Sequence, residues 1–286
     1  MTNILITGSN GQLGNEMRIV SEKYPDYQYF FTDIEELDIT NKTAIDNFVA
    51  QNKIDFIVNC AAYTAVDKAE NDVEFCYKLN RDAVKNLAEV ASKYAAKIIH
   101  ISTDYVFNGT NYIPYTEEDT VNPLGIYGKS KLAGEEVLRE TCADAIIIRT
   151  SWLYSSFGNN FVKTMLRLGK EKDTLNVVFD QIGSPTYAAD LAQAIMSIIS
   201  SNRWLSGIYH FSNEGVCSWY DFTKAIHRLT EISCKVSPIE SKDFPTPTRR
   251  PNYSVFNKAK IKSCYNIEIP HWEESLEKCL LVISGQ

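Results

Sequence analysis

Short apolar runs alternate with stretches of helical periodicity through the first half of the chain. Residues 2–7 (TNILIT) form an apolar run that ends at Gly8, and residues 12–23 follow with apolar positions spaced three and four apart. That succession predicts a strand, a glycine turn and a helix. The pattern recurs, with YQYFFT (27–32), DFIVNCAA (55–62), KIIHIST (97–103) and AIIIRTSW (145–152) reading as strands. Thr40 or Asn41 caps a helix to about residue 52, and helical stretches cover about 73–95 and the segment from Tyr127 through 129–141.

Strands rich in Ile and Val need apolar cover on both faces, which helices supply through right-handed crossovers. The expected class is α/β, a doubly wound parallel sheet (Rossmann) with strand order 3-2-1-4-5 and ligands at the carboxyl ends of its strands. Beyond residue 152 the alternation loosens into helices at 160–171, 187–201 and 218–230 and a strand at 207–211. The proline-rich FPTPTRRP (244–251) reads as a constrained loop. We expect a dinucleotide-binding domain over 1–152, to which about 187–230 returns, and a smaller, interleaved substrate-binding lobe over most of 153–286.

Composition narrows the class. The 286 residues are 44% hydrophobic and 23% charged, ordinary for a soluble globular chain. The net charge of −7 and scattered basic residues argue against a nucleic-acid partner. The start, MTNILITGSNGQLG, lacks a basic segment followed by a long apolar one, and no later apolar run has the ~18–20 residues that span a bilayer, so a cytoplasmic protein without a membrane partner is expected. Seven dispersed cysteines without Cys-x-x-Cys spacing, and four dispersed histidines, indicate neither a disulfide framework nor a zinc site.

Gly8-Ser9-Asn10-Gly11-Gln12-Leu13-Gly14 lies between the first strand and its helix. Its G-x-x-G-x-x-G spacing permits a tight turn and lets a pyrophosphate approach the helix N-terminus. Asp33 ends the second strand, where a carboxylate accepts both hydroxyls of an adenosine ribose and repels a 2′-phosphate, leaning towards NADH over NADPH with dual use open. Its alternative is a turn-capping role, since Asp38 and Ile39 follow in a polar loop that also borders the adenosine end. Ala61, Ala62 and Tyr63 close the third strand, either passing close to the cofactor or simply packing strand against helix.

Candidate chemistry gathers at Tyr127 and Lys131, one helical turn apart in YGKSK, and at Thr103, which ends the fourth strand. An ordinary phenol titrates near pH ~10 and needs ~4 kcal/mol of differential stabilisation to titrate near 7. Lys131 is placed to supply part of that and to hold the nicotinamide ribose, while Thr103 orients a carbonyl that receives the Tyr127 proton and a hydride from the nicotinamide. Taken alone, Thr103 could equally bond its own backbone, and Tyr127 could be an ordinary amphipathic helix residue.

GSNGQLG, STDYVF, YGKSK and RTSWLY, in this order, resemble the extended short-chain dehydrogenase/reductase family. The resemblance runs to about residue 275 and includes AAYTAVDKAE (61–70), PLGIYGKSKLAGE (123–135), GNNFVKTMLRL (158–168) and DQIGSPT (180–186). It implies NAD(P)H-dependent reduction of the 4-keto group of dTDP-4-dehydro-L-rhamnose, a nucleotide-sugar substrate. It further implies that Thr103 and Asp104 contact the sugar, that Tyr127 is the proton donor and Lys131 the cofactor-holding lysine, that Trp152 packs on the sugar, and that Arg250 lies near the diphosphate, with Arg249 as its substitute. Some relatives are dimers sharing a divalent metal through several carboxylates; only Glu16 matches here, so no metal is expected and a homodimer stays open. A dehydratase is disfavoured because Asp104 is followed by Tyr105, a poor base at neutral pH. Another nucleotide-sugar 4-reductase, a 4-epimerase and a non-catalytic nucleotide-binding regulatory subunit remain as alternatives.

Overall fold

Alternation along single strands builds two core layers. The computed structural model describes residues 1–201 and 203–285. In β1 (Thr2–Thr7), Ile4 and Ile6 face one layer, with Val58, Ile99, Ile146 and Ile148 of neighbouring strands and the helices Gln12–Ser21 and Ala188–Ser200. Leu5 faces the other, with Ile57, Ile98 and Ile147 and the helices Lys42–Asn52, Ala83–Tyr94 and Ile126–Thr141. Because side chains alternate at period two, a parallel sheet covered on both sides needs apolar residues in succession, as these strands have.

The sheet has six parallel strands: β1, β2 (Tyr27–Thr32), β3 (Phe56–Asn59), β4 (Lys97–Thr103), β5 (Ile146–Thr150) and the late strand Gly207–Phe211. Its spatial order is β2-β1-β3-β4-β5 followed by Gly207–Phe211, which corrects the expected 3-2-1-4-5. Apolar β3 pairs with β1 on one side (Ile4↔Phe56) and β4 on the other (Ile57↔Ile98), whereas partly exposed β2 takes the edge. A strand buried on both faces gains more from the sheet interior than one carrying polar, half-exposed side chains. The chain therefore reverses direction between β1 and β3, and the crevice at their carboxyl ends is the topological switch point. The fourth strand lies beside the third and fifth, not beside the first.

Other elements differ in detail. Asn41 is the cap of helix Lys42–Asn52, accepting from the Ala44 amide at 3.1 Å. The single helix expected over 73–95 is interrupted by a π-helical turn at Lys78–Asp82. Asn80 in that turn accepts from the Tyr63 amide at 2.8 Å and donates to its carbonyl at 3.1 Å, so the widened turn clamps the loop after β3. Strand Thr174–Val178 pairs in parallel with Lys235–Ile239, and helices Ala259–Tyr265 and Trp272–Ser284 follow, none of which the pattern had suggested. The two strands and helix Trp272–Ser284 close a third apolar cluster around Phe222, Ile226 and Leu276, whereas helix Ala259–Tyr265 packs Ile261 and Tyr265 into the first layer. Among the described residues, no helix is long and apolar enough to cross a membrane.

Candidate active site

The glycine loop takes a conformation that only small residues allow. Gly8 has φ +64°, and a Cβ there would lie 2.6 Å from the Ala61 nitrogen; one on Gly14 would lie 2.4 Å from Ser9 Cα. The loop thus packs directly on the chain leaving β3, with helix Gln12–Ser21 starting immediately after it, the arrangement that receives a pyrophosphate. Asp33 Oδ2 accepts from the Asn10 amide at 2.9 Å, and Oδ1 accepts from the Ile34 amide at 2.8 Å, so this carboxylate holds the glycine loop. Asp38 caps its own turn through the Thr40 amide and hydroxyl, and Ile39 is a core residue at 5% exposure.

A cavity of about 640 Å³ runs from this loop across the carboxyl ends of β3, β4 and β5. It brings together Gly8, Gly11, Gln12, Leu13, Gly14 and Ala62 at one end with Thr103, Asp104, Tyr127, Lys131, Trp152 and Arg250 at the other. Asn10, Asp33, Asp38, Ile39, Ala61 and Tyr63 stand outside its lining. The glycine cradle and the switch-point crevice fit a dinucleotide, so the residues present suit the cofactor that the motif implies.

Helix Ile126–Thr141 sets Tyr127. Its first amide, from Ile126, donates to Glu70 Oε1 at 2.9 Å, a carboxylate suited to the positive end of a helix dipole. The same AAYTAVDKAE segment supplies Asp67, whose Oδ2 lies 3.1 Å from Arg250 Nη2, and Val66, whose carbonyl accepts from the Thr248 hydroxyl at 3.0 Å. The short helix Val66–Ala69 and its C-cap Glu70 thereby tie the start of the Tyr127 helix to the proline-rich segment that carries Arg250.

Tyr127 is buried, and that burial pushes its phenol above the ordinary range, against the Thr103 hydroxyl, which lowers it. Lys131 does not offset this as expected. Its Nζ donates to the Ile101 carbonyl at 2.7 Å and meets His100 Nε2 at 3.2 Å, so β4 holds the Lys131 amino group, and burial dominates the phenol. Burial lowers Lys131 itself to about 8. Thr103 donates to Asp104 Oδ1 at 3.0 Å, and burial raises Asp104 to about 6 against hydrogen bonds from Ser254 and Thr103. Behind them, Arg149 and Glu135 form a buried bidentate pair that also receives the Ser102 hydroxyl, fixing β4, β5 and the Tyr127 helix relative to one another.

Trp152 follows β5 with φ +48°, a left-handed conformation unusual for a bulky side chain and therefore a marker of constraint. Its carbonyl accepts from the Thr186 amide at 3.2 Å. The indole stacks on Trp219, which with Phe161 extends an aromatic wall of the cavity. Trp219 and Phe161 escaped sequence reasoning because nothing in the periodicity of their helices sets them apart from core aromatics, whereas Trp152 was singled out by the family resemblance and by its strand-end position. Arg250 lines the cavity with its Nε buried and unpartnered, whereas Arg249 borders a separate surface pocket. Glu16 is buried and accepts from the Ser155 hydroxyl at 2.6 Å. Among the described residues, no cluster of three or more His, Cys, Asp or Glu side chains is arranged to hold a metal.

The profile of the RmlD substrate binding domain family matches residues 1–284. A dTDP-4-dehydrorhamnose reductase from Aggregatibacter actinomycetemcomitans is 42% identical over 287 residues, covering 97% of this chain and 98% of that protein. Among solved structures, a dTDP-4-dehydrorhamnose reductase from Clostridium acetobutylicum superposes with a TM-score of 0.94 at 43% identity, covering 99% of this chain and all of that one (100%). The Bacillus anthracis dTDP-4-dehydrorhamnose reductase in complex with NADP gives a TM-score of 0.94 at 41% identity, over 99% of this chain and 100% of that one.

Proposed function

The chain belongs to the RmlD substrate binding domain family, and on that premise we propose that it reduces the 4-keto group of dTDP-4-dehydro-L-rhamnose to dTDP-L-rhamnose with NADPH or NADH. One observation carries the reading: a single cavity joins a glycine cradle for a pyrophosphate to a buried Thr103–Tyr127 pair beneath an aromatic wall. When bound, the nicotinamide supplies the hydride that the carbonyl carbon receives.

The protein groups divide the remaining work. The loop from Gly8 to Gly14 and the start of its helix hold the pyrophosphate, and Lys131 holds the nicotinamide ribose. Thr103 orients the carbonyl oxygen, and Tyr127 gives its phenolic proton to that oxygen as negative charge develops. A phenol raised by burial keeps its proton at neutral pH, so it is loaded for donation before reduction begins. Trp152 offers an apolar face to the 6-deoxysugar, and the Arg250 fork, with its free buried Nε, suits paired phosphate oxygens. A cytoplasmic location accords with a soluble nucleotide-sugar substrate.

The test is cofactor oxidation with enzymatically generated dTDP-4-dehydro-L-rhamnose and identification of the product by mass and sugar configuration. Stoichiometric oxidation giving dTDP-L-rhamnose is expected. No oxidation, despite measured dinucleotide binding, would remove the assignment.

A further inference from the structure

His100 lies at the centre of a buried chain of hydrogen bonds that no step above uses. Asn59 Oδ1 accepts from the Thr7 hydroxyl at 2.7 Å and from the Ala61 backbone amide at 3.2 Å. A backbone N–H only donates, so the carboxamide orientation is settled, and Asn59 Nδ2 is the group 3.0 Å from His100 Nδ1. That nitrogen also only donates. His100 Nδ1 must therefore accept, which assigns the ring proton to Nε2. The ring is neutral, because burial and then the nearby Lys131 charge hold its pKa well below the ordinary histidine range.

Nε2–H then faces Lys131 Nζ at 3.2 Å. Opposite an ammonium group, two donors confront one another in a buried site. Opposite a neutral amine, Nε2–H enters the nitrogen lone pair while the amine still donates to the Ile101 carbonyl. We infer that His100 is a positioning residue for Lys131: the tautomer imposed by Thr7, Asn59 and Ala61 favours the uncharged amine, giving Lys131 two accessible protonation states instead of a permanent charge. Glu135, one turn further along the helix, and Cys76, from the helix packed beside it, favour the charged form, but burial outweighs them and Lys131 titrates at about 8. Tyr127, one turn before, is uncharged at that pH.

The inference deepens the role proposed for Lys131, yet its tautomer and titration are read without turnover. Nitrogen-15 NMR of histidine-labelled protein, with His100 assigned from its loss in His100→Gln, is expected to show the Nε2–H tautomer. Carbon-13 NMR of lysine Cε, assigned through Lys131→Met, is expected to give a midpoint at about 8. Asn59→Asp turns a carboxylate towards Nδ1, draws the ring proton there and leaves the Nε2 lone pair facing Nζ, so the Lys131 midpoint should rise by about one pH unit or more. An Nδ1–H tautomer in the unaltered protein, a Lys131 midpoint in the ordinary lysine range, or an unmoved midpoint in folded Asn59→Asp would each overturn the inference. Should Asn59→Asp not fold, the unaltered protein's tautomer alone decides. A midpoint at about 8 together with full turnover in Lys131→Met would uphold the inference while removing Lys131 from the proposed reaction.

Discussion

Trp152 and Trp219 stack face to face, with ring centroids 3.5 Å apart and 10° between their planes. One indole comes from a left-handed strand end and the other from the first position of helix Trp219–Leu229, so the late helix braces the strand-end ring. An aromatic pair contributes ~0.5–1.5 kcal/mol beyond its buried area. Trp219→Ala should therefore raise KM for the nucleotide sugar roughly 3–10-fold and leave the cofactor Kd unchanged. Steady-state kinetics in both substrates check this, and an unchanged sugar KM would contradict the bracing role.

Asp33 acts through the glycine loop. A hydrogen bond from an amide to a carboxylate contributes ~1.5–3 kcal/mol, so Asp33→Ala should weaken NADH and NADPH alike, by about tenfold or more. Arg18, stacked over Phe31 at 4.3 Å and 3.5 Å from the Ser9 hydroxyl, stands beside the same loop as a cation suited to a 2′-phosphate. Arg18→Ala should weaken NADPH more than NADH. Fluorescence titrations with both cofactors measure these effects, and a purely NADH-selective loss in Asp33→Ala would contradict this loop-holding account and favour the ribose-binding role.

Asp104 carries a stability cost that depends on pH. Its carboxyl titrates at about 6 in the folded chain, against an ordinary 3.8. The folded state therefore binds the extra proton between those values, and the penalty is absent below about pH 4, grows towards 6 and is complete above it. Asp104→Asn should stabilise the protein by on the order of 2–3 kcal/mol at pH 8 and by less at pH 5. Urea unfolding of both proteins at the two pH values tests this; an equal gain at both would contradict it.

Lys131 is shifted the other way. The folded group titrates at about 8 and the unfolded one at an ordinary 10.5, so the burial penalty is full below pH 8 and is released as pH rises towards 10.5. Lys131→Met should gain stability at pH 7, by up to about 3 kcal/mol, while losing both cofactor affinity and turnover. A variant that binds cofactor normally would remove the ribose-holding role.

Much of this was legible in local pattern. The Gly8–Gly14 turn, the Ile- and Val-rich strands and the Tyr127–Lys131 spacing are short-range signals, and the cavity gathers them. Strand order was not legible, because the choice between β1 beside β3 and β1 beside β4 depends on which strand gains most from double-sided burial. The direction of Lys131 was hidden for a similar reason: helical spacing places Nζ near the phenol, but the Ile101 carbonyl and His100 come from β4 and compete for it. Asp67 and Glu70 sit in a quoted motif, yet their partners Arg250 and Ile126 lie far along the chain, so only the fold reveals that they tie the site together. The helices near 160–171, 187–201 and 218–230 and the strand at 207–211 were legible, whereas strands Thr174–Val178 and Lys235–Ile239 and helices Ala259–Tyr265 and Trp272–Ser284 escaped because their apolar positions are few or interrupted by polar residues.

The central claim is that Tyr127 delivers the proton in the proposed reduction, and Tyr127→Phe tests it most directly because it removes one hydroxyl and keeps the ring. Turnover with dTDP-4-dehydro-L-rhamnose and NADPH should fall ~10²–10⁴-fold, the range of a lost general acid, with NADPH affinity kept within a few-fold. Turnover unchanged in a variant that still binds NADPH would contradict the account.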